Sequence, residues 1–414
     1  MAVLLPAITG AQPMLGNDPA IPANLQIRTF LTGLSFPYGM HELPDGSLLV
    51  ATSTGLASQI VRYTQTGGVA NAPTTVFTGG VGLATGLAGI GNLVVAATGA
   101  GDNSKITIFR AGVAGALTSL SALSFDYPVN FWSHDSHAIA VRAVPGQPNS
   151  YQLVFSVGSE MNDGPSTGTI PVTGTTTQAL NPNSIYSLTF AVNGNVVTAG
   201  AATQLAAGVR NGFALGFNAA GDVYFGDNGS SLPGFVGPKS ADYFGLIPAG
   251  TPGVLDFGFP NTYYDPLTGL RSGPSAGITP PVKTFLPING VSDRGVAGLA
   301  IAPIGFPTGL NDGIFFGFYG DATQNIAGGV VYVDRLTGQS VQLLQSSPTL
   351  SHPLSLLATS NALYVADFGG NGASDGSIFR INLTTVPEPS TVVMFGAGAL
   401  LLCAVGRRRR RSPR

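Results

Sequence analysis

Two clusters of side chains in the sequence could bind a metal ion. His134 and His137 stand three positions apart with Asp135 between them, and imidazole nitrogens and carboxylate oxygens are both frequent metal ligands. A second cluster, in the segment GSEMNDG, offers the oxygen ligands that Ca²⁺ prefers: Glu160, Asn162 and Asp163. Each cluster also has a structural interpretation, as a hydrogen-bonded loop before a strand or as an acidic turn. Both interpretations stay open from the residues alone.

Other side chains could bind sugars or could simply pack. Five aromatic residues could stack on sugar rings or fill the core: Tyr127, Phe131, Trp132, Tyr263 and Tyr264. His41 precedes a turn, where we expect a structural role. The sequence has no nucleophile elbow, phosphate-binding glycine loop or dinucleotide fingerprint. Its one cysteine, Cys403, lies in an apolar tail, so the body of the chain has neither a thiol nucleophile nor a disulfide.

The composition describes the elements that must position these side chains. The 414 residues include 58 glycines and 30 prolines, and only 9% are charged, against about 25% in an average soluble domain. Glycine and proline break helices, which excludes a long helical bundle, and a hydrophobic content of 44% excludes ordinary disorder. A net charge of −2 argues against a nucleic-acid partner. We therefore expect an all-β, turn-rich protein with a sizeable core.

One structural theme recurs six times along the chain. Each copy has a turn marked by glycine or proline, a pair of alternating or apolar β-segments, and a further strand. Equivalent points of the copies fall near Pro37, Gly86, His137, Arg210, Val296 and Pro353. Six units of about four short strands predict a six-bladed β-propeller. A β-sandwich is the alternative, and the recurrence of whole units favours the propeller.

The two ends of the repeat predict how the ring closes. An isolated strand at 26–31 precedes the first unit, and a strand at 377–383 ends the last one. We expect the first strand to complete the last blade, because this pairing removes an open sheet edge. The propeller domain then spans 24–384. Two long insertions, 158–182 and 246–287, are expected to cover a site or a channel mouth.

The C-terminal tail differs in charge from the rest of the chain. Six of the 18 basic residues lie in the last eight positions, among them the run Arg407, Arg408, Arg409, Arg410 and Arg411. Residues 389–406 carry no charge, and 392–405 are apolar. We expect a C-terminal apolar helix that enters a membrane with its basic end on the cytoplasmic side. The alternative is a buried C-terminal helix with a solvated basic end.

A short motif precedes the apolar part of this tail. Pro387, Glu388 and Pro389 stand directly before it, and the arginine run follows it. Residues 386–414 therefore resemble the PEP-CTERM sorting signal of Gram-negative bacteria. The resemblance implies export, transient anchoring in the inner membrane by a transmembrane helix, and cleavage by an exosortase. The mature chain would reach the cell surface or the extracellular space, in an exopolysaccharide or biofilm context.

Export also requires an N-terminal signal. The first eleven residues, MAVLLPAITGA, are apolar and end in a small residue, but no basic residue precedes them. We interpret residues 1–20 as a truncated signal peptide or leader. The alternatives are a frayed terminus or a first strand.

The fourth unit carries an ordered series of short motifs. It reads GVRNGFAL at 208–215, GDVY at 221–224, GDNG at 226–229 and FGFP at 257–260. This series resembles the glucose/sorbosone dehydrogenase family of six-bladed quinoprotein propellers. The first unit, FPYGMHELPDGSLLVA, and the last, HPLSLLATSNALYVADFG, look like the first and last blades of that family. The resemblance covers about residues 25–383.

The second resemblance implies a base, a cofactor and a metal ion. His137 stands where the family has a general base that takes a proton from the sugar while hydride passes to pyrroloquinoline quinone (PQQ). Arg210 and Asn211 would bind carboxylates of this cofactor. Four residues would surround Ca²⁺, the first two through backbone carbonyls: Gly229, Ser230, Asp227 and Asp242.

The supply of positive charge decides between two functions. PQQ is a tricarboxylate, and only 12 basic residues of this chain lie before the last eight positions. The last unit also has His352 before Pro353 where the family often has arginine. Burying three carboxylates beside so few cations is poorly compensated. We therefore expect an exported propeller with a ligand-binding or scaffold role toward a glycan or matrix protein; the alternative is a PQQ- and Ca²⁺-dependent sugar dehydrogenase of the aldose or sorbosone type.

Overall fold

A computed structural model of the protein describes residues 15, 16, 18, 21–54, 57–66, 69–99, 104–127, 134–231, 239–286, 295–321, 326–345, 350–369 and 374–383. Within these ranges the chain forms β-strands and turns, and the one short helix is a 3-10 turn at Val113–Gly115. None of the described residues belongs to a helix with the length and hydropathy of a membrane span. The predicted C-terminal helix, the sorting signal and most of the predicted leader lie outside the described residues.

The strands alternate with short turns along the whole described chain. In the first half they are β1 (Leu25–Leu34), β2 (Gly39–Glu42), β3 (Leu48–Thr54), β4 (Ala57–Tyr63), β5 (Gln65–Thr66), β6 (Val69–Ala70), β7 (Thr74–Val81), β8 (Leu83–Ile90), β9 (Leu93–Gly99), β10 (Ser104–Ala111), β11 (Leu117–Phe125), β12 (Ile139–Ala143), β13 (Ser150–Val157), β14 (Ile170–Gly174), β15 (Gln178–Leu180), β16 (Ser184–Asn193), β17 (Val196–Ala199) and β18 (Thr203–Ala207). In the second half they are β19 (Gly212–Phe217), β20 (Val223–Asp227), β21 (Asp242–Ile247), β22 (Leu255–Asp256), β23 (Tyr263–Tyr264), β24 (Arg271–Ser272), β25 (Lys283–Phe285), β26 (Val296–Ile301), β27 (Gly313–Asp321), β28 (Ile326–Asp334), β29 (Ser340–Leu344), β30 (Pro353–Ala358), β31 (Ala362–Asp367) and β32 (Gly376–Leu383).

Six antiparallel sheets form the blades of a propeller. In order they are β2-β3-β4-β7, β8-β9-β10-β11, β12-β13-β16-β18, β19-β20-β21-β25, β26-β27-β28-β29 and β30-β31-β32-β1, which we call blades 1 to 6. The prediction of an all-β, six-bladed propeller is confirmed. Each of the six repeat points recognised in the sequence lies within, or just before, the first strand of a blade.

The first strand of the chain closes the ring, as predicted. β1 pairs antiparallel with β32, from Leu25 opposite Leu383 to Leu34 opposite Gly376. Phe30 of β1 packs edge-to-face on Tyr364 of β31, with ring centroids 5.3 Å apart. The N-terminal strand β1 and the C-terminal strands β30–β32 thus form one sheet, which is blade 6.

The hydrophobic core is divided into six clusters, one between each pair of neighbouring blades. Blades 2 and 3 meet around Phe125 and Phe155, and blades 4 and 5 meet around Phe244 and Phe316. The ring is completed by a cluster between blades 6 and 1, with the remaining clusters between the other neighbours. Neighbouring blades cover the second strands on both faces, so that every residue of β20 and β31 is buried, whereas the outer strand β1 keeps exposed positions.

The two long insertions mainly cover outer sheet edges. β14 of the first insertion pairs with β11 and extends blade 2, and β22 of the second pairs in parallel with β18 and extends blade 3. The expectation that these insertions cover a site or channel mouth is met only in part, by the first insertion around Asn162 and by the second around Tyr264. Covering an outer strand protects a sheet edge that would otherwise be open.

The two ends of the ring carry different connections. The innermost strands β2, β8, β12, β19, β26 and β30 all begin at one end, which we call the upper face, because every blade repeats the same up-and-down path. Connections between blades and the loops between second and third strands lie on the upper face. Turns between first and second strands and between third and fourth strands lie on the opposite, lower face.

Candidate functional site on the upper face

The fold brings all the predicted propeller site residues to the upper face. His137 directly precedes β12, and Arg210 and Asn211 directly precede β19. The four residues predicted to surround Ca²⁺ lie at the top of blade 4: Asp227 ends β20, Gly229 and Ser230 follow it, and Asp242 begins β21. His137 lies apart from this group, in the cluster between blades 2 and 3.

His137 is a fully buried side chain with both ring nitrogens engaged. Its exposed fraction is 0%, and its Nδ1 donates to the carbonyl of Ser156 at 2.6 Å. Its Nε2 accepts a hydrogen bond from the hydroxyl of Ser104, with 2.8 Å between the two atoms. The centroid of its ring lies 4.0 Å from the ring centroid of Phe125. Burial lowers the pKa of His137 to about 4. A general base needs a nitrogen that faces its substrate, and this arrangement instead joins blade 2 to blade 3.

The second histidine of the predicted metal pair is also used for packing. Nδ1 of His134 donates to the carbonyl of Ser159 at 3.0 Å. Burial, together with the nearby charge of Arg210, lowers its pKa to about 3. Among the described residues, no three His, Cys, Asp or Glu side chains form a group that could hold a metal ion. The structural interpretation of the histidine pair therefore fits the geometry.

The side chain of Arg210 donates its hydrogen bonds to backbone and side-chain oxygens of the protein. The side chain is buried, and its Nε donates to the carbonyl of Asn162 at 2.8 Å. Its Nη2 donates to Oδ1 of the same Asn162 at 2.5 Å, and its Nη1 to the carbonyl of Asn228 at 3.1 Å. The guanidinium thus joins the first long insertion, which lies in blade 3, to the loop after β20. Lysine cannot reproduce this arrangement, because it lacks the planar fork of N–H donors.

Asp227 supports the same turn from below. Its two carboxylate oxygens accept from the backbone N–H groups of Arg210 at 3.1 Å and Asn211 at 2.6 Å. Burial raises the pKa of Asp227 to about 6, and the hydrogen bonds from these backbone groups oppose that shift. Asn211 uses its backbone N–H here, and its side chain is half-buried.

The remaining predicted Ca²⁺ ligands are held by backbone groups. The carbonyl of Ser230 accepts from the N–H groups of Lys239 at 2.7 Å and Ser240 at 3.0 Å, which occupies both of its lone pairs. Asp242 accepts from Gly229 N–H and Gly295 N–H, each at 2.8 Å. A Cβ on Gly229 would lie 2.1 Å from the carbonyl of Ser240, so only glycine allows this close approach.

A small cavity behind this loop provides the test for Ca²⁺. Its volume is about 20 Å³, and it is lined by Asp227, Asn228 and Tyr264 among others. Oδ1 of Asn228 and the hydroxyl of Tyr264 are buried there, and neither has a hydrogen-bond partner among the residues that the structure describes. A space of this size holds one water molecule, whereas Ca²⁺ needs six to eight oxygen ligands. The described residues therefore suit a buried water molecule better than the predicted Ca²⁺ ion.

The upper face also offers few cations for a tricarboxylate cofactor. The described connections on this face contain two basic residues, Arg210 and Lys239, and Arg294 lies outside the described residues. Arg210 is committed to the protein's own carbonyls, and Lys239 forms an ion pair with Asp163. At the last-blade position where the family often has arginine, Nδ1 of His352 donates to the carbonyl of Tyr319 at 2.5 Å. The residues described on this face do not fit PQQ.

The central channel is uncharged. It is a cavity of about 320 Å³ lined by the innermost strands of all six blades, and the described residues that line it include no Asp, Glu, Lys or Arg. His41 lies on its wall and donates from Nε2 to the carbonyl of Gly91 at 2.9 Å. His41 thus has the structural role expected for it, and the channel wall combines uncharged, mainly aliphatic side chains with exposed polar groups.

Sequence reasoning missed Asp367, which repeats the arrangement of Asp227 in blade 6. Asp367 ends β31 as Asp227 ends β20, and it accepts from the N–H groups of Ser351 and His352 at 3.2 and 2.5 Å. Burial raises its pKa to about 6. The signal was present in the sequence, because GDNG at 226–229 and ADFG at 366–369 place an aspartate at the same point of two repeat units.

Comparison with known proteins identifies the tail. Residues 385–411 match the PEP-CTERM protein-sorting motif. The chain carries a PEP-CTERM sorting signal. The motif includes Pro387, Glu388, Pro389 and the arginine run, as predicted. A comparison with curated proteins finds no match.

The propeller is similar in fold to several solved structures. The PQQ domain of pyranose dehydrogenase from Coprinopsis cinerea has 16% identity and a TM-score of 0.61, over 90% of this chain and 98% of that one. A family AA12 carbohydrate-active enzyme from Trichoderma reesei has 15% identity and a TM-score of 0.62, over 91% and 99%. The PQQ-bound aldose sugar dehydrogenase of Streptomyces coelicolor has 14% identity and a TM-score of 0.51, over 88% and 99%. At such low identities, these TM-scores show a shared fold alone.

Proposed function

We propose that this chain is an exosortase-sorted propeller that acts at the cell surface by binding, without quinone-dependent catalysis. The observation that supports this most directly is the use of Arg210. Its guanidinium donates to Asn162 and to the carbonyl of Asn228, so the cation that the dehydrogenase hypothesis assigns to the cofactor holds two loops together. A buried arginine released from such bonds would leave its acceptors unpaired.

The sorting signal supports the proposed location. The PEP-CTERM motif at 385–411 favours export through the inner membrane, transient anchoring by the apolar tail and cleavage near Pro387 to Pro389. The released chain would be attached to the cell surface or leave the cell. Binding partners of the proposed propeller are a glycan or a matrix protein, in an exopolysaccharide context.

The sorting proposal is tested by expressing the full chain in a host with and without an exosortase. We expect a shorter surface or secreted form only in the host that has the enzyme. Glu388→Ala is expected to leave the full-length chain in the membrane fraction, and Glu160→Ala in the propeller serves as the control. Equal processing of Glu388→Ala and the unaltered chain would contradict the proposal.

The second candidate is a PQQ- and Ca²⁺-dependent sugar dehydrogenase. It is favoured by the fold shared with PQQ-bound enzymes and by the common location of His137, Arg210 and the Asp227 group on the upper face. For this function His137 would have to exchange its bond with Ser104 for one with a sugar hydroxyl. Bound PQQ would accept hydride, and Arg210 would have to leave Asn162 to reach its carboxylates.

One experiment separates the two candidates. The full chain is mixed with PQQ and Ca²⁺, and melting temperature, PQQ binding by calorimetry and dye reduction with a panel of aldoses are measured. We expect no thermal shift, no binding and no dye reduction, while the Streptomyces coelicolor enzyme gives all three. Dye reduction that His137→Asn abolishes in a folded variant would establish the dehydrogenase and refute the binding proposal.

A further inference from the structure

A second pocket lies on the lower face, far from the predicted site residues. It has a volume of about 340 Å³ and is formed between blades 4 and 5. Its walls come from the turn between β19 and β20, the loop between β26 and β27, and Arg335 in the turn after β28. This volume lies in the range of about 300–1,000 Å³ that is usual for small-molecule sites.

The loop that lines one side of this pocket is anchored by buried side chains and backbone hydrogen bonds. Residues 302–312 join β26 to β27 and form the longest first-to-second-strand connection of the six blades. Phe306 and Leu310 are buried under it, and their N–H groups donate to the carbonyls of Pro303 and Pro307, each at 2.9 Å. Ile304 of the same loop lines the pocket and is 93% exposed. The loop therefore buries two apolar side chains and presents a third at the pocket rim.

The blade 4 wall carries fixed hydrogen-bond acceptors and donors. Asp222 accepts from the N–H of Ala249 at 2.8 Å and from Nδ2 of Asn218 at 2.7 Å. The same amide of Asn218 donates to the hydroxyl of Tyr224 at 3.2 Å. A carboxylate has about four acceptor positions, so Asp222, which lines the pocket, keeps acceptor capacity beyond these two bonds.

The blade 5 wall is polar but nearly neutral. Arg335 donates from Nε and Nη2 to the two oxygens of Asp312, at 2.7 and 3.2 Å. Asn311 stands beside this ion pair, and its half-buried side-chain amide makes no hydrogen bond with the described part of the chain. Because Asp312 already neutralises Arg335, this wall attracts neither a strong anion nor a strong cation.

We infer that the lower-face pocket binds a neutral polyhydroxylated ligand, namely one or two sugar units of a glycan. Hydroxyl groups both donate and accept, which suits the alternating carboxylate, amide and guanidinium groups of the two walls. The aliphatic side chain of Ile304 offers a surface for the apolar face of a sugar ring. An anionic ligand would meet the carboxylate of Asp222, and a long peptide would exceed the volume of the pocket.

The test is saturation-transfer NMR on the full chain with maltose and cellobiose as probes. Glucuronic acid, glucosamine and a neutral tetrapeptide form separate arms. We expect saturation transfer to at least one disaccharide, and Ile304→Ser with Asn311→Ala is expected to weaken its binding at least about fivefold. Both side chains are half-exposed or exposed, so the melting temperature should stay unchanged. Val113→Ser serves as the matched control, because Val113 is 96% exposed on blade 2.

The inference would be overturned by no transfer to either disaccharide, by transfer that the double variant leaves unchanged, or by binding of only the charged sugars or the peptide. It would be supported by disaccharide binding that the double variant weakens and the control keeps. The proposed binding role at the cell surface would survive its failure, because the PQQ and sorting experiments involve neither Ile304 nor Asn311.

Discussion

Asp227 and Asp367 show how single polar residues are used in this propeller. Each ends the second strand of its blade and accepts from two backbone N–H groups of the turn that leads into the first strand. Arg210 then fastens the turn of blade 4 to the neighbouring loops. Residue types that suggest catalysis in the sequence thus satisfy buried backbone groups, which would be costly to leave unpaired.

Arg210→Leu is predicted to destabilise the fold. The substitution leaves the carbonyls of Asn162 and Asn228 without their donor, and we expect the free energy of unfolding to fall by about 2–4 kcal/mol. Urea denaturation measures the change. Arg271→Leu, at an exposed position, is the control and should change stability by less than about 0.5 kcal/mol. An equal, small effect of both substitutions would contradict the assigned role of Arg210.

Stability is predicted to depend on pH through two opposing pairs of groups. Burial raises the pKa of Asp227 and Asp367 from 3.8 to about 6, so the folded state binds more protons and their contribution falls as the pH rises through this window. Burial lowers the pKa of His134 and His137 from 6.5 to about 3 and about 4, so the unfolded state binds more protons and their contribution rises with pH. Between about pH 4 and 6 the two effects oppose each other.

Removing one member of either pair is therefore expected to give the free energy of unfolding a net dependence on pH in this range. Asp367→Asn should make the free energy of unfolding rise with pH between about 4 and 6, and His137→Asn should make it fall, each by up to about 1.4 kcal/mol per pH unit. Urea denaturation at several pH values across this range gives the slopes. Slopes of the same sign in the two variants would show that the assignment is wrong.

At the scale of elements, the outer edges of the blades explain the long insertions. A propeller blade ends in an exposed strand that could pair with another chain. β14 and β22 cover the outer strands of blades 2 and 3, each reaching back from the following blade. The insertions are rich in glycine, proline and polar residues, a composition that indicates loops, and this composition does not reveal which edge they cover.

The closure of blade 6 makes a prediction about charge. Arg28 of β1 stands directly opposite Arg380 of β32, and like charges that face each other across a sheet are destabilising. Arg28→Glu should therefore raise the free energy of unfolding by about 0.2–1 kcal/mol, measured by thermal or urea denaturation. The double variant R28E/R380E restores like charges and should lose this gain. A gain that persists in the double variant would contradict the register of β1 on β32.

At the scale of the whole molecule, the ring depends on close contact between innermost strands. A Cβ on Gly39 of β2 would lie 2.4 Å from the backbone nitrogen of Leu87 in β8. Blade 1 can therefore approach blade 2 at this point only because the residue has no side chain. The high glycine content, which in the sequence indicates turns, also serves this packing around the channel.

Gly39→Ala is predicted to cost about 2–4 kcal/mol of unfolding free energy, because two backbones would have to move apart. Gly112→Ala is the matched control, since a Cβ there meets its nearest atom at 3.6 Å. Differential scanning calorimetry of the two variants gives the comparison. Similar melting temperatures for both would show that the ring tolerates separation of blades 1 and 2.

The sequence by itself determined the periodic features of this protein. The six recurring units, the isolated strand before the first unit and the Pro-Glu-Pro, apolar and arginine series of the tail are local patterns. They predicted the propeller, its closure and the sorting signal. Strand alternation and turn chemistry act over a few residues, so they can be read along the chain.

Only the tertiary structure decided what the polar residues do. Whether Arg210 faces a cofactor or a carbonyl depends on Asn162, which lies 48 positions earlier, and on a loop that follows another strand. Likewise, the environment of His137 depends on Ser104 in the preceding blade, and the lower-face pocket joins turns of two blades. Such contacts are long-range in the chain, and the energy of a buried hydrogen bond depends on partners that no local pattern names.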